Sequence, residues 1–169
     1  ETERMARESA EGQALELGWR LDNKPDVAES DYLEMVLKKT CWLAAIHPMR
    51  TGALIATSGR ADVDPFIRYG FFVGAAFQIQ DDLLNLVGDV VRYGKELGGD
   101  LYEGKRTIML IRLLAVCGAH ERERIVATLS APRRERADDD VRYIRARMDH
   151  HGCIDYARRP DAETRSTGR

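Results

Sequence analysis

Two adjacent aspartates interrupt one of the most apolar stretches of the 169-residue sequence. Asp81 and Asp82 lie in FQIQDDLLNLVGD at residues 77–89, and the preceding DPFIRYGFFVGAA is apolar around nearly its whole circumference if it is helical. Two neighbouring carboxylates in a partly buried place repel each other and lose hydration, so they need a proton or a cation beside them. Oxygen ligands with no His or Cys nearby favour Mg²⁺.

The helical period places the polar side chains of this segment on one side. A helix turns by about 100° per residue, so with Gln78 at zero Asp82 falls near ~40°, Asn85 near ~340° and Asp81 near ~300°. Gln80 alone lies roughly opposite, near ~200°. The sequence therefore predicts one acidic and amide stripe at the carboxyl-terminal end of an otherwise apolar helix.

Two neighbouring segments supply cationic and hydroxyl groups that could bind a phosphate. These are Lys38, Lys39 and Thr40 on one predicted helix, and Lys95, Lys105 and Arg106 around a glycine-rich loop. Magnesium usually keeps some waters and shares its coordination shell with phosphate oxygens. A lone Asp-Asp pair is more often a solvated acidic patch, and GKELGGD alone is only a turn-rich loop. The single polar arc on an apolar helix favours a site that binds a metal and a phosphate.

Apolar residues recur at intervals of three and four, and Ala, Leu, Glu and Arg dominate, which predicts an all-α protein. Asp64 followed by Pro65 is a strong start signal for the long apolar helix, which we expect to end near Val87. The other predictions are helices over 1–20, from Ser30 to about 58 with Pro48 kinking or interrupting the path, over 106–119, 120–129 and 138–159, and a flexible loop over 93–105. We expect one domain over 1–169, with a disordered tail at 160–169.

Composition excludes several function classes. Lys plus Arg number 26 against 28 Asp plus Glu, so no net field recruits nucleic acid. The three cysteines lack CxxC spacing, which argues against a disulfide framework or a structural zinc site and predicts reduced thiols in the cytoplasm. The sequence has no apolar run of about 18 residues and no signal-peptide pattern, so we expect no membrane span.

Several aromatic and histidine residues have structural interpretations. Trp19, Trp42 and Tyr32 fit a core or a subunit contact better than a cage for a cation. Phe71, Phe72 and Phe77 are core candidates first. His47 is expected to be a packing residue, and the adjacent His150 and His151 make a poor metal pair because they point to different sides of a helix.

Five ordered motifs across about residues 8–110 together resemble the second half of an (E)-polyprenyl diphosphate synthase. FQIQDDLLN at 77–85 corresponds to the family's FQxxDDxxD, its second aspartate-rich motif. Gly94-Lys95, GGD at 98–100 and EGKRT at 103–107 follow it, as in the family. Upstream, EGQALEL at 11–17 and KKT at 38–40 match the family's GQ and KT signatures.

The resemblance implies the isoprenoid synthase fold, a bundle of helices around a deep cavity, here without its amino-terminal half. It also implies Mg²⁺-dependent condensation of isopentenyl diphosphate with an allylic diphosphate to a longer prenyl diphosphate. In the family, Mg²⁺ ions bridge two aspartate-rich motifs and the allylic diphosphate. A homodimer, or association with the missing half, is the implied assembly.

The resemblance also assigns roles to individual residues. Asp81, Asp82 and Asn85 would bind the metal, with Asp81 as the main ligand. Lys39 and Lys95 would pair with the diphosphate, Thr40 and Gln78 would assist them, and Phe77 would line the isopentenyl side of the cavity.

The sequence departs from the family pattern in two places. Asn85 replaces the last aspartate of the motif with a neutral oxygen ligand. The family's first DDxxD and its adjacent arginines are not in the sequence, and DDDVR at 138–142 is better explained as a helix amino terminus. The sequence starts at Glu1 with no initiator methionine, so we expect a fragment or a processed chain that does not condense substrates alone.

Two other functions remain open. One is a noncatalytic or regulatory synthase-like subunit. The other is a class I terpene cyclase, which is less favoured because those enzymes carry an NDxxSxxxE type motif late in the chain. Here Asp89 stands four residues after Asn85, where that motif has Ser or Thr.

Overall fold

The computed structural model describes residues 1–88 and 98–159. Within these two ranges every regular element is helical, which confirms the predicted all-α class. In chain order the elements are α1 (Thr2–Leu21), α2 (Glu29–Val36), a π-helical segment (Leu37–Ile46), α3 (His47–Ala56), α4 (Pro65–Val87), α5 (Gly99–Glu103), α6 (Ile108–Val116), α7 (Ala119–Ser130), a 3₁₀ turn (Arg133–Glu135), α8 (Asp138–His150) and α9 (Cys153–Arg158). The predicted disordered tail at 160–169 lies outside the described residues.

The long helix α4 has the predicted bounds. Pro65 is its first residue, where the proline's fixed φ suits the first turn and its missing N–H has no helical acceptor to lose. Gly88 follows its last residue and donates its backbone N–H to the Leu84 carbonyl. The Asp-Pro and Gly signals were therefore sufficient to place both ends of this helix.

The helical path from Glu29 to Ala56 continues through Pro48, although an interruption or a kink was predicted there. The π-helical segment Leu37–Ile46 comes directly before α3, and the His47 N–H bonds to the Trp42 carbonyl, five residues back. Proline clashes with the carbonyl four residues before it in a regular α-helix. The wider π turn ahead of Pro48 accommodates the proline without a break in the helical path.

Close backbone approaches hold the π-helical segment in the first of two compact units, which consists of Glu1–Leu17 and Leu33–Gln78. A Cβ atom on Gly12 of α1 would lie 2.4 Å from the Lys39 backbone nitrogen. A Cβ atom on Gly74 of α4 would lie 2.8 Å from the Cys41 Cα. Only glycine fits at these positions, so Gly12 and Gly74 determine how near α1 and α4 come to Lys39 and Cys41.

The second compact unit consists of Gly18–Tyr32 and Ile79–Arg169. Its α6 is apolar around most of its circumference and largely buried, as expected of a central helix. Thr107 begins α6 as its N-cap, with its side chain accepting a hydrogen bond from the Leu110 N–H. The buried α6 thereby anchors the end of the EGKRT motif at residues 103–107.

Two predictions in the second unit were wrong. The predicted loop over 93–105 contains the short helix α5 (Gly99–Glu103), which follows Gly98 in the left-handed conformation. The predicted continuous helix over 138–159 is two helices, α8 and α9, separated at Gly152. Gly152 has φ of +65°, which ends α8 in the left-handed conformation that glycine adopts without steric cost.

The aromatic predictions have mixed outcomes. Trp19, Trp42 and Tyr32 are buried, as a core position requires. Phe71 and Phe72 are half-buried, with ring centroids 5.6 Å apart. Phe77 is 65% exposed, so its interpretation as a core residue was wrong.

Cys41, Cys117 and Cys153 form no disulfide with one another. Burial raises the pKa of Cys41 to about 12 and the pKa of Cys153 to about 11, so both thiols are protonated at neutral pH. Among the helices described, none contains an 18-residue stretch that is apolar enough to cross a membrane.

Candidate functional site

Asp82 is held from two sides near the carboxyl-terminal end of α4. Its side chain is 1% exposed, its Oδ2 accepts a hydrogen bond of 2.9 Å from the Tyr32 hydroxyl, and its Oδ1 lies 3.6 Å from Lys105 Nζ. A buried carboxylate needs such partners because desolvation disfavours its charge. Both oxygens of Asp82 therefore contact protein groups that stabilise the ionised form.

Lys105 links Asp82 to a second carboxylate. Its Nζ lies 3.4 Å from Asp100 Oδ1. Burial raises the pKa of Asp100, the positive charge of Lys105 opposes this shift, and the negative charge of Asp81 adds to it. We call Asp81, Asp82 and Asp100 the acidic cluster.

Asn85 connects the end of α4 to the start of α5. Its side-chain Oδ1 accepts a hydrogen bond of 3.1 Å from the Asp100 backbone N–H, and its carbonyl accepts one of 2.7 Å from the Gly98 N–H. The side chain is buried. Asn85 thereby satisfies amide donors at the beginning of α5 that have no acceptor within that helix.

Three arginines surround the far end of α5 and bind four successive carbonyls at residues 101–104. Arg136 donates to the carbonyls of 101 and 102, Arg20 to that of 103 over 3.1 Å, and Arg106 to that of 104 over 2.6 Å. We call these three side chains the arginine frame. Guanidinium groups suit this position because the last carbonyls of a helix carry partial negative charge and lack helical partners.

Arg106 is the most buried member of the arginine frame, at 2% exposure. Besides the carbonyl of Gly104 it binds the Lys24 carbonyl over 3.0 Å and Asn23 Oδ1 over 2.7 Å. Burial, together with the charges of Arg136 and Arg20, lowers the pKa of Arg106 to about 10. The guanidinium stays charged at neutral pH, and it ties the residue next to Lys105 to the α1–α2 connection.

A separate set of polar contacts lies in the first compact unit. Lys39 Nζ pairs with the buried carboxylate of Glu16, and the Thr40 hydroxyl donates to Gln78 Oε1 over 2.8 Å. Lys38 instead pairs with two glutamates of α1, Glu8 at 3.2 Å and Glu11 at 2.8 Å. Of the residues predicted to bind diphosphate, the structure thus joins Thr40 directly to Gln78.

The family model for polyprenyl synthetase matches residues 2–148 of this chain. The chain belongs to the polyprenyl synthetase family. It is 37% identical over 121 residues to a short chain isoprenyl diphosphate synthase of Methanothermobacter thermautotrophicus, a match that covers 72% of this chain and 36% of the relative.

Solved structures of polyprenyl synthases have the same all-α fold. A polyprenyl synthase of Caulobacter crescentus, in complex with calcium and isoprenyl diphosphate, is 31% identical to this chain with a TM-score of 0.77. The match covers 92% of this chain and 46% of the synthase. A geranylgeranyl pyrophosphate synthase of Corynebacterium glutamicum, in complex with isoprenyl diphosphate and magnesium, is 26% identical to this chain with a TM-score of 0.78. The match covers 96% of this chain and 44% of the synthase. The chain therefore spans less than half the length of these synthases.

The residues predicted from the synthase motifs lie in different surroundings. Asp82 and Asn85 are buried and bound by protein donors, and Asp81 is half-buried. Phe77 is exposed. Lys95 lies outside the described residues. The assigned metal and diphosphate roles stay predictions.

Sequence reasoning assigned no site role to Tyr32 or Asp100, and it named Lys105 and Arg106 only as cations that could bind a phosphate. Asp100 and Lys105 were within the recognised GGD and EGKRT motifs, and these motifs were the available signal. Tyr32 carried no signal, because a buried tyrosine in a helix looks like any other core residue until the fold brings Asp82 to its hydroxyl.

Proposed function

We propose that this chain carries the half of a prenyl diphosphate synthase site that contains the second aspartate-rich motif. The reaction is Mg²⁺-dependent condensation of isopentenyl diphosphate with an allylic diphosphate to a longer prenyl diphosphate. The observation that carries the proposal is the acidic cluster at the end of α4, with Lys105 between two of its carboxylates, in a chain of the polyprenyl synthetase family.

The donor chemistry of the acidic cluster fits Mg²⁺. Its members offer hard carboxylate oxygens, and a cation already lies between Asp82 and Asp100 in the form of the Lys105 ammonium group. Within 1–88 and 98–159, no three His, Cys, Asp or Glu side chains are placed to hold a metal ion together. We infer that this chain supplies part of a coordination shell, and that diphosphate oxygens and another polypeptide segment supply the rest.

Asp81 is the main metal ligand in this proposal, as its position in the FQIQDDLLN motif implies. Asp82 is oriented by Tyr32 and Lys105, and Asn85 by the Asp100 N–H, so these two side chains already hold neighbouring groups in place. When bound, Mg²⁺ would stabilise the negative charge that the departing diphosphate acquires. Asp82 and Asn85 would then keep Asp81 and α5 in the positions that this contact requires.

The lysines and the Thr40–Gln78 pair act on the diphosphate in this proposal. Lys39 is held by Glu16, and Thr40 by Gln78, so both side chains are oriented before substrate arrives. Fixed donors that point at a leaving group stabilise its charge without reorganisation during the reaction. Lys95 completes the set as predicted from the sequence, and Phe77 contacts the isopentenyl group.

The test is an assay of the protein encoded by the complete reading frame that contains this chain, with Mg²⁺, isopentenyl diphosphate and allylic diphosphates of several lengths. Mass spectrometry detects elongated prenyl diphosphates, and size-exclusion chromatography shows whether the active species is a dimer or a complex of two chains. Asp81→Ala should abolish the product. Asp139→Ala is the matched control, because Asp139 is an exposed aspartate at the start of α8 and pairs with Arg142.

Three outcomes separate the candidate functions. Elongated product that Asp81→Ala removes and Asp139→Ala preserves supports the synthase. Product that survives Asp81→Ala contradicts the role given to the acidic cluster. No product from a reading frame confirmed to encode only these 169 residues favours the noncatalytic subunit.

A further inference from the structure

Arg136 follows the 3₁₀ turn and joins the carboxyl-terminal ends of two helices. At the end of α7, its Nε donates to the Ala131 carbonyl over 3.0 Å and its Nη2 to the Leu129 carbonyl over 2.7 Å. In α5, its Nη1 donates to the Leu101 carbonyl over 3.1 Å and to the Tyr102 carbonyl. One guanidinium group therefore holds the carbonyl ends of α7 and α5 together.

The guanidinium group of Arg136 is kept in this place against an electrostatic cost. Burial, together with the positive charges of Arg20 and Arg133, lowers the pKa of Arg136. The partial negative charge at the ends of two helices offsets this cost. The planar guanidinium fork has five donors, whereas a lysine has one compact ammonium group that cannot reach carbonyls on two sides. The position therefore requires an arginine for its geometry as well as for its charge.

Arg136 also contacts the turn that leads from α5 to Lys105. A Cβ atom on Gly104 would lie 2.9 Å from Arg136 Nη2, so the guanidinium group lies directly against the Gly104 backbone. Gly104 is the C-cap of α5 and has φ of +70°, a conformation that glycine adopts without steric cost. The main chain immediately before Lys105 is thus in contact with Arg136.

The helix that Arg136 holds carries polar groups of the candidate site at both ends. Asp100 lies in the first turn of α5, and Lys105 follows Gly104. The Lys105 N–H bonds to the Asp100 carbonyl over 2.9 Å, and Lys105 Nζ lies 3.4 Å from Asp100 Oδ1. A displacement of α5 would therefore move both side chains.

We propose that Arg136 is a positioning residue for prenyl transfer, which holds the end of α5 against α7 and so places the Lys105 ammonium group for the departing diphosphate. The proposal rests on the proposed function, and it gives a role to a residue outside all the motifs that carry the family resemblance. A donor that is fixed in advance stabilises the charge of a leaving group without reorganisation. Arg136 acts through Lys105 and not by contact with the substrate.

The experiment uses the protein encoded by the complete reading frame that contains this chain. Steady-state kinetics of prenyl transfer compares the unsubstituted protein with Arg136→Gln, Lys105→Met and the double variant. Arg134→Gln is the matched control, because Arg134 lies in the same 3₁₀ turn, is exposed, and pairs with its neighbour Glu135 over 3.4 Å. Hydrogen exchange measured by mass spectrometry follows the amides of residues 101–105.

Arg136→Gln should lower kcat by about ten- to a hundredfold, the effect expected of a slightly misplaced catalytic group, with little change in the KM for isopentenyl diphosphate. Exchange over residues 101–105 should become faster. In the Lys105→Met background, Arg136→Gln should cause no further loss, because residues that act through one another have non-additive effects. Arg134→Gln should leave the kinetics and the exchange unchanged.

Circular dichroism checks the fold of each variant. If Arg136→Gln does not fold, Arg136→Lys takes its place, and it should lower kcat in the same way because one ammonium group cannot bind the ends of both helices.

Three results would overturn the role of Arg136 and leave the synthase function standing. They are an unchanged kcat for Arg136→Gln, unchanged exchange over residues 101–105, and an equal loss of kcat with and without Lys105→Met. The third result would mean that the loss does not pass through Lys105. No elongated product from the unsubstituted protein would overturn both the synthase function and the role of Arg136.

Discussion

The Tyr32 hydroxyl donates a hydrogen bond of 2.9 Å to Asp82 Oδ2, although the two residues are 50 positions apart in the chain. Both side chains are about 1% exposed. The bond lies on the opposite carboxylate oxygen from the Lys105 contact, so the two donors together fix the orientation of the Asp82 carboxylate. A residue that looks like ordinary core in the sequence is thus the buried support of the second aspartate of the DD pair.

Removal of the Tyr32 hydroxyl should destabilise the chain. In Tyr32→Phe the ring still packs, but Asp82 Oδ2 loses its phenol donor, and loss of a hydrogen bond to a charged group costs about 1.5–3 kcal/mol of unfolding free energy. Urea unfolding followed by circular dichroism measures the change. Tyr69→Phe, at an exposed position of α4, is the control and should leave the unfolding free energy unchanged. Equal midpoints for both variants would show that the bond contributes nothing.

Substitution of Asn85 should affect one amide at the start of α5 and spare another. Asn85→Ala removes the acceptor of the Asp100 N–H, but it keeps the backbone carbonyl that binds the Gly98 N–H. Hydrogen exchange measured by NMR should therefore become faster at Asp100 than at Gly98. Asn85→Asp keeps an oxygen in place and should preserve the Asp100 protection. Faster exchange in Asn85→Asp as well would show that the side-chain oxygen is not the important group.

Two glycines of α1 provide a matched pair for testing the close approach at Lys39. A Cβ atom on Gly12 would meet the Lys39 backbone at 2.4 Å, while one on Gly18 would have no neighbour within 4 Å. Gly12→Ala should lower the unfolding free energy by about 1–3 kcal/mol, because α1 or the π-helical segment must shift. Gly18→Ala should raise it by about 0.5–1 kcal/mol through helix propensity. A neutral Gly12→Ala would mean that the approach is not tight.

The raised pKa of Asp100 gives a pH dependence with a definite sign. Because burial raises its pKa above the ordinary value of 3.8, the folded chain holds this proton more tightly than the unfolded chain. The stability that Asp100 contributes is therefore complete below 3.8 and declines as the pH rises through the folded-state pKa. Relative to Asp100→Asn, the unsubstituted chain should lose unfolding free energy as the pH rises above 3.8 and through the raised pKa of Asp100 in the folded state.

Urea unfolding of both proteins at several pH values measures this difference. The unfolding free energy of Asp100→Asn is subtracted from that of the unsubstituted chain at each pH. The contributions of groups that titrate alike in the two proteins then cancel. A difference that rises with pH would contradict the direction assigned to the Asp100 pKa and would indicate that the contact with Lys105 outweighs burial.

Local sequence signals predicted the elements well where capping and helix-terminating residues mark the ends of a helix. Asp64, Pro65 and Gly88 define α4, because cap, first-turn and termination preferences depend only on neighbouring backbone. The same reasoning failed at Gly152, since one glycine inside an amphipathic pattern is compatible both with a continuous helix and with a left-handed end. The predicted interruption at Pro48 does not occur, because a π-helical segment precedes the proline.

The sequence by itself determined the all-α class, the family and the stripe of Gln78, Asp81, Asp82 and Asn85 on one helix, because periodicity and motif order are properties of the chain alone. Only the tertiary structure decided which protein groups contact these side chains. Tyr32 and Lys105 reach Asp82, and Asn85 reaches Asp100, through contacts between residues distant in sequence or across a turn. Such contacts depend on packing, and no local preference encodes them.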